Sequence, residues 1–333
     1  MVDSNCQREH ILPSEKAKAY QMKLEAIKRK GGRPLKINSG QLGQNLSQPY
    51  SVEKVADEAG ESVKQVQRFI RLNKLTPDLM QLVDDGRLKT TPAVELSYLT
   101  PEEQEKSIHD FILENVTYDK LQKQYSHEII GPLQQGIGVC EGIAKTVKLF
   151  CDRLGIDCLI AVSEADPEHG VRYRHAWNLV KIGGSWLHLD ATFDNSLKRY
   201  GTKRYDYYNL EDRQLFRDHQ PLIAPVPACT KSDAFYYRVN RLSLTKTEEV
   251  GKRLKAVLRK KQPCFVFHWR GGALNRSILE EILKEAEAAA AAKEKHVRLS
   301  VNVPQAVIQV NFVDQPVGEE ILTEEANEGE EGG

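Results

Sequence analysis

No apolar run in these 333 residues approaches the roughly 20 needed to cross a bilayer. A membrane-spanning helix is thereby excluded as an expectation. The N-terminus is polar and lacks the apolar stretch of a secretory leader, so the cytoplasm is the expected location. An excess of one charge sign is also missing: Lys+Arg and Asp+Glu are equal at 47 each. Overall charge therefore argues for no particular partner. The six cysteines (Cys6, Cys140, Cys151, Cys158, Cys229, Cys264) form no CxxC pair, which excludes a zinc ribbon and fits reduced thiols better than a disulfide framework. There is no EF-hand loop and no dense carboxylate cluster, so neither calcium nor any other metal or cofactor is expected.

What is present is a soluble globular mix, 40% hydrophobic and 28% charged, at a length that implies two or three domains. Charge is unevenly spread. Lys16 to Lys36 is strongly basic, with Lys23, Lys28, Arg29, Lys30, Arg33 and Lys36, whereas Glu319 to Glu331 is acidic.

Ser51 to Leu72 has the pattern of two crossed helices joined by a turn. Ser51 is the expected N-cap of a helix through Ala59, Gly60 its stop, and Ser62 the cap of the second helix. Val55, Ala56, Ala59, Val66 and Phe69 are apolar where the two would meet. Lys64, Gln65, Gln67, Arg68 and Arg71 then face outward. Gln and Arg read base edges, and Lys and Arg neutralise phosphates, so these five are the candidate DNA contacts. From His10 to Gln104 the sequence resembles the central DNA-binding domain of the ParB partition proteins. The motifs are Ile11 to Ala17, Gln65 to Leu72, Leu82 to Gly86 and Ala93 to Leu99. The resemblance implies a helix–turn–helix domain over 10–106, DNA as partner and a homodimer, although the family's dimerising C-terminal segment is not seen. The family's upstream nucleotide-binding domain is also not seen, so nucleotide-driven clamping is not expected.

Cys140, His175 and Asp190 carry the only pattern implying bond-making chemistry. Cys140 lies in Gly138-Val139-Cys140-Glu141-Gly142, ahead of a helical stripe of Ile143, Val147, Phe150 and Leu154. At a helix N-terminus the backbone dipole and unpaired N–H groups stabilise a thiolate and a developing oxyanion. Gly138 and Gly142 would leave room for a substrate backbone. Downstream, His175 to Ile182 and Trp186 to Phe193 flank Gly183-Gly184 as a hairpin. A two-residue turn pairs Ile182 with Ser185, sets His175 opposite Thr192 and Asp190 opposite Trp177, and puts His175 and Asp190 on one face. A three-residue turn would separate them. The roles that follow are nucleophile for Cys140, base for His175 and orienting carboxylate for Asp190. His127 and Gln134, with the Cys140 backbone N–H, are the candidate oxyanion donors. His188 reads as structural, Cys151 and Cys158 as core, and Trp177 and Trp186 as packing.

Val116 to Pro221 resembles the transglutaminase-like superfamily, through the Gly-Val-Cys-Glu-Gly-Ile-Ala run at Cys140, His175-Ala176-Trp177-Asn178 and His188 to Asp194. Tyr207-Tyr208-Asn209-Leu210 and Arg217-Asp218-His219 look like the stretch that closes such domains in bacterial members. The resemblance implies a papain-like α+β domain over 107–225 and acyl transfer on a protein or peptide substrate. Residues 232–315 read as a small α/β domain of order β-α-β-α-β-β, beginning with a strand over Ala234 to Leu244, and 316–333 as a disordered acidic tail. The expected whole is a multidomain α+β protein: an all-α helix–turn–helix domain, a papain-like or transglutaminase-like domain and the small α/β domain. Three activities compete: a cysteine hydrolase of protease or amidase type carried to DNA, a DNA-binding partition or regulatory protein with a non-catalytic scaffold, and a protein crosslinker.

Overall fold

The computed structural model describes residues 11–30, 50–164, 174–198, 202–219, 222–315 and 321–324. Two compact units result: Met1–Gln104 with Arg153–Gly155, and Glu105–Asp152 with Ile156–Gly333.

The first unit is helical: α1 (Pro13–Lys30), α2 (Tyr50–Ala59), α3 (Val63–Leu72), α4 (Pro77–Asp84) and α5 (Thr90–Leu96). Its core gathers Ala17, Tyr20, Val55, Ala56, Val66, Phe69, Leu72 and Val83. The turn between α2 and α3 follows from two residues. Gly60 takes φ +65°, and the Ser62 hydroxyl accepts from the Gln65 N–H at 3.2 Å. The other expected cap is corrected: α2 begins at Tyr50, so Ser51 lies inside its first turn. Arg33, Lys36 and the side chains of Arg29 and Lys30 lie outside the described residues.

The second unit opens with the continuation of α6 (Pro101–Asn115) and a parallel pair of short strands, β1 (Thr117–Tyr118) and β2 (Ile137–Gly138). Next come α7 (Cys140–Leu154), β3 (Cys158–Ser163), β4 (His175–Ile182), β5 (Ser185–Leu189), α8 (Ala191–Ser196), β6 (Tyr208–Leu210) and α9 (Asp212–Leu215). Strands β3-β4-β5-β6 form an antiparallel sheet in sequence order. Asn178 on β4 ties α7 to this sheet, its amide donating to the Ala144 carbonyl at 3.0 Å. The two-residue turn is as expected. Gly183 and Gly184 have φ +55° and +80°, and Ile182 pairs with Ser185.

A second sheet has the order β11-β9-β10-β8-β7, from β7 (Ser243–Leu244), β8 (Cys264–Trp269), β9 (His296–Asn302), β10 (Val307–Val313) and β11 (Ile321–Glu324). Helices α11 (Thr247–Arg259) and α12 (Arg276–Ala290) cover one face, packing Leu254, Ile282 and Ala286 on Phe267, Leu299, Ile308 and Val310. The alternate residues of β10, Gln309 and Asn311, point to the other face and are also buried. That polar face meets the first sheet's domain. Arg204 donates to Gln309 at 3.2 Å and forks onto Asp206 at 3.0 and 2.7 Å, and Asp206 also accepts from Asn302 and from the Tyr237 hydroxyl, each at 2.9 Å.

Two expectations fail here. Ala234 to Leu244 is no strand: Tyr236–Val239 is a helical turn, α10, and only Ser243–Leu244 pairs with β8. The aromatic run imitates a strand, but Phe235 and Tyr237 are both buried and Tyr236 stacks on Tyr205 with centroids 3.9 Å apart. The 316–333 segment is not uniformly disordered, because Ile321–Glu324 adds parallel to β9. The rest of that tail, apart from these four residues, lies outside the described ones. Among the described residues no helix is long and apolar enough to cross a membrane.

Candidate active site

Cys140 is the first residue of α7 and is partly exposed. A tight backbone knot fixes its position. The Val139 N–H donates to the Ser126 carbonyl at 3.1 Å, and the Asp119 N–H to the Gly138 carbonyl at 3.0 Å. Ser126 is anchored in turn by its hydroxyl on the Asp119 carboxylate. The Ser126 carbonyl lies so close to Gly142 that a β-carbon there would sit 2.1 Å from it. A β-carbon on Gly138 would come within 2.8 Å of Pro132. The space expected for a substrate at these glycines is therefore filled by the protein's own 126–132 segment.

His175 starts β4, and its Nε2 lies 2.5 Å from Asp190 Oδ2. Asp190 is not a strand residue as expected. The pairing of β4 with β5 runs from Ile182–Ser185 to Asn178–Leu189, and Asp190 then caps α8. Its Oδ1 accepts from the N–H groups of Thr192 and Phe193 at 2.9 and 3.0 Å. One oxygen thus serves the helix and the other serves histidine. The His175 ring is held by Trp177, stacked at 5.8 Å, and by Phe193 at 4.6 Å between centroids.

A second histidine joins the His175–Asp190 pair. Nε2 of His219 lies 2.8 Å from the same Asp190 Oδ2, and its Nδ1 lies 2.6 Å from Asp218 Oδ1. Ionised carboxylates only accept hydrogen bonds, so satisfying both requires an N–H on each ring nitrogen, which is imidazolium. Burial would lower the His219 pKa, but Asp218 and Asp190 overcome it and raise it above the ordinary value. Burial would likewise raise Asp190, but the charge and hydrogen bond of His175, with those of His219, hold it well below the usual carboxylate range. Asp218 accepts from the Tyr207 hydroxyl at 2.7 Å and from the Gln305 amide at 3.4 Å. Sequence reasoning marked Arg217-Asp218-His219 as a closing segment without a chemical role; the His next to an Asp, 29 residues beyond Asp190, was its only signal.

The remaining expected residues fall elsewhere. His127 pairs with Glu141 at 3.2 Å, and Gln134 is exposed on the turn Gly131–Gln135. His188 is structural, as read. Its Nδ1 accepts from the Trp177 indole at 3.1 Å and its Nε2 meets Asp212 at 2.9 Å, while burial pushes its pKa down to about 4. With Asp212 and Cys229 it offers three donor atoms within 4.8 Å of one another. That group is already closed by hydrogen bonds, and burial with Asp212 pushes the Cys229 thiol up to about 12. Of the candidate DNA contacts, Lys64 and Gln67 are exposed and Gln65 is half-buried. Arg68 donates to Thr91 at 2.8 Å. Arg71 grips the Ser97 carbonyl at 2.5 Å and lies 4.2 Å over the Tyr98 ring, so it is committed inside the first unit.

Residues 90–191 match the family model of the transglutaminase-like superfamily, and the chain thus contains a transglutaminase-like domain. The match includes Cys140, His175 and Asp190 and stops short of His219. Among solved structures, the chain is similar to a candidate cysteine protease from Cytophaga hutchinsonii, at 20% identity over 36% of this chain and 44% of that one, with a TM-score of 0.27. It is also similar to a TGase, at 12% identity over 52% of this chain and 38% of that one, with a TM-score of 0.26. Both likenesses span less than half of the other chain. No curated protein matches in sequence.

Proposed function

We propose that the Cys140 site is a cysteine hydrolase acting on an amide of a protein or peptide. The observation that carries this reading is the 2.5 Å bond from His175 Nε2 to a buried, ionised Asp190. It fixes the ring so that His175 works through Nδ1. In the acylation step the Cys140 thiol gives its proton to Nδ1 and the sulfur attacks the amide carbon. The resulting oxyanion is met by the backbone N–H groups at the start of α7. Collapse breaks the C–N bond, the leaving amine takes the proton from Nδ1, and a thioester remains. Water, deprotonated by the same nitrogen, then releases the acid and restores the thiol. Asp190 stabilises the imidazolium in both steps and does not itself take the proton.

The test is labelling of the intact chain with an electrophilic amide probe, read by mass spectrometry. Cys140 is expected to label faster than the other five cysteines, with the rate lost in His175→Ala. Equal labelling of all cysteines, insensitive to His175, would remove the reading. Supplying a primary amine separates hydrolysis from transfer. Incorporation of the amine in place of water would favour the crosslinking reading.

A second reading concerns the helical unit: binding of DNA through α3. It is supported by the exposure of Lys64 and Gln67, three residues apart on one helix face. Its test is a gel shift across salt concentrations, in which Lys64→Ala is expected to weaken binding and flatten the salt dependence. Binding insensitive to salt would sink it.

A further inference from the structure

A cavity of about 450 Å³ opens between α9, α10 and the loop that follows β8. Four arginines stand in its lining: Arg213 and Arg217 at α9, Arg238 on α10, and Arg270 at the end of β8. Glu211 is the one carboxylate among the lining residues. The chain as a whole is balanced in charge, so this concentration is local. Among the described residues, the contacts of these arginines are to backbone carbonyls, Arg217 to Pro304 at 2.7 Å and Arg238 to Ser232 at 2.8 Å, and none pairs with a carboxylate.

Two of the lining residues also carry buried donors that lack acceptors among the described residues. Trp269 is 3% exposed and forms part of the wall, yet its indole Nε1–H has no acceptor among the described residues. The Nε–H of Arg238 is in the same position. Such orphaned buried donors are uncommon in folded proteins. Gly271 keeps the loop pressed onto the Trp269 ring, where a β-carbon would sit 2.3 Å away. His268 registers the local field: burial first, then Arg238, Arg270 and Arg217, push its pKa down to about 4.

Charge and unmet donors ask for the same thing, which is acceptor oxygens carrying negative charge. A single ion would leave a space of this size mostly empty, since it lies in the range that holds small molecules. Guanidinium forks approaching from separate elements suit a tetrahedral group with three terminal oxygens better than a planar carboxylate with two. We propose that this pocket binds a small phosphorylated molecule, held by Arg213, Arg217, Arg238 and Arg270 with the Trp269 indole as a further donor. The site is separate from Cys140 and does not depend on its chemistry.

The test is calorimetric titration of the full chain with pyrophosphate at physiological salt, against sulfate and citrate at equal ionic strength. One-to-one saturable binding of pyrophosphate is expected, tighter than either control. Arg213 and Arg270 are exposed, so the double variant R213Q/R270Q is expected to keep its fold and bind at least about tenfold more weakly. Trp269→Phe keeps an aromatic ring at this position and removes the indole N–H. The pyrophosphate-dependent change in tryptophan emission should disappear in it. Absence of saturable binding, unchanged affinity in the double variant, or tighter binding of citrate than of pyrophosphate would each overturn the proposal.

Discussion

His175 and His219 place their Nε2 atoms on a single oxygen, Oδ2 of Asp190, at 2.5 and 2.8 Å. The carboxylate between them is therefore shared by two imidazole N–H donors. One, His175, belongs to the proposed acid–base chemistry. The other is locked by Asp218 on its far side. His219 thus acts on His175 through Asp190 and also touches its ring edge-on, with centroids 5.4 Å apart.

Asp190→Asn tests the carboxylate. Asparagine keeps the size and can still accept from Thr192 and Phe193, but it removes the charge that stabilises the His175 imidazolium. Turnover of an amide substrate is expected to fall on the order of 10³–10⁴-fold, with KM little changed.

His219→Gln tests the positioning role. Removing a positive charge from Asp190 leaves more of its field to stabilise the protonated ring of His175. The acid limb of Cys140 labelling is expected to move to higher pH, with a loss of roughly tenfold in maximal rate. A merely structural His219 would lower stability and leave the pH profile where it was.

Stability should depend on pH through His188. Its folded value of about 4 lies below the ordinary 6.5, so between these values the unfolded chain binds the extra proton. This stability is complete above pH 6.5 and is lost as pH falls toward 4, by up to about 3 kcal/mol. His219 has the opposite sign: its raised value contributes stability below pH about 6.5 that fades as pH rises through the folded value. Urea unfolding across pH should show His188→Gln, which can still accept from Trp177, with a flatter acid slope.

Asp206→Asn is expected to destabilise the second unit by about 3–5 kcal/mol in denaturant titration, because it removes the carboxylate onto which the fully buried Arg204 forks.

Gly142→Ala forces a β-carbon onto the Ser126 carbonyl, which is backbone and cannot rotate away. A loss of about 1–3 kcal/mol and slower Cys140 labelling are expected together, since the same knot sets the start of α7.

Much of this site was legible in the residues. Gly183-Gly184 fixes the hairpin register because both positions need positive φ, and the Ile182–Ser185 pairing follows from it. The helical stripe behind Cys140 places that residue at a helix start. The function of Asp190 was legible only in outline: extending β5 through it overlooked that an Asp ahead of Ala191-Thr192-Phe193 is also an N-cap. Helix capping, not strand pairing, aims its other oxygen at His175. The part played by His219 depends on a chain return that no local pattern encodes. Residues 234–244 misled for the opposite reason, since an aromatic run satisfies strand propensity while its partners, Asp206 and Tyr205, lie about 30 residues away in sequence. Arg71 illustrates the same limit, because an outward-facing arginine on a helix cannot be seen to reach Ser97 until that helix is packed.

The turn carrying Gln305 has a practical consequence for dissection of the chain. Gln305 donates to Asp218, which holds His219, and Asn302 donates to Asp206, so the second sheet and its turn supply amide donors to carboxylates of the first sheet's domain. A fragment ending before Ser243 would retain Cys140, His175, Asp190 and His219. It would also expose Arg204 and Asp206, whose partners Gln309 and Asn302 it lacks, to water, with the Asp190–His219–Asp218 chain open at one end. The smallest piece that keeps the Asp190–His219–Asp218 chain intact is therefore set by the far sheet, well beyond His219 itself.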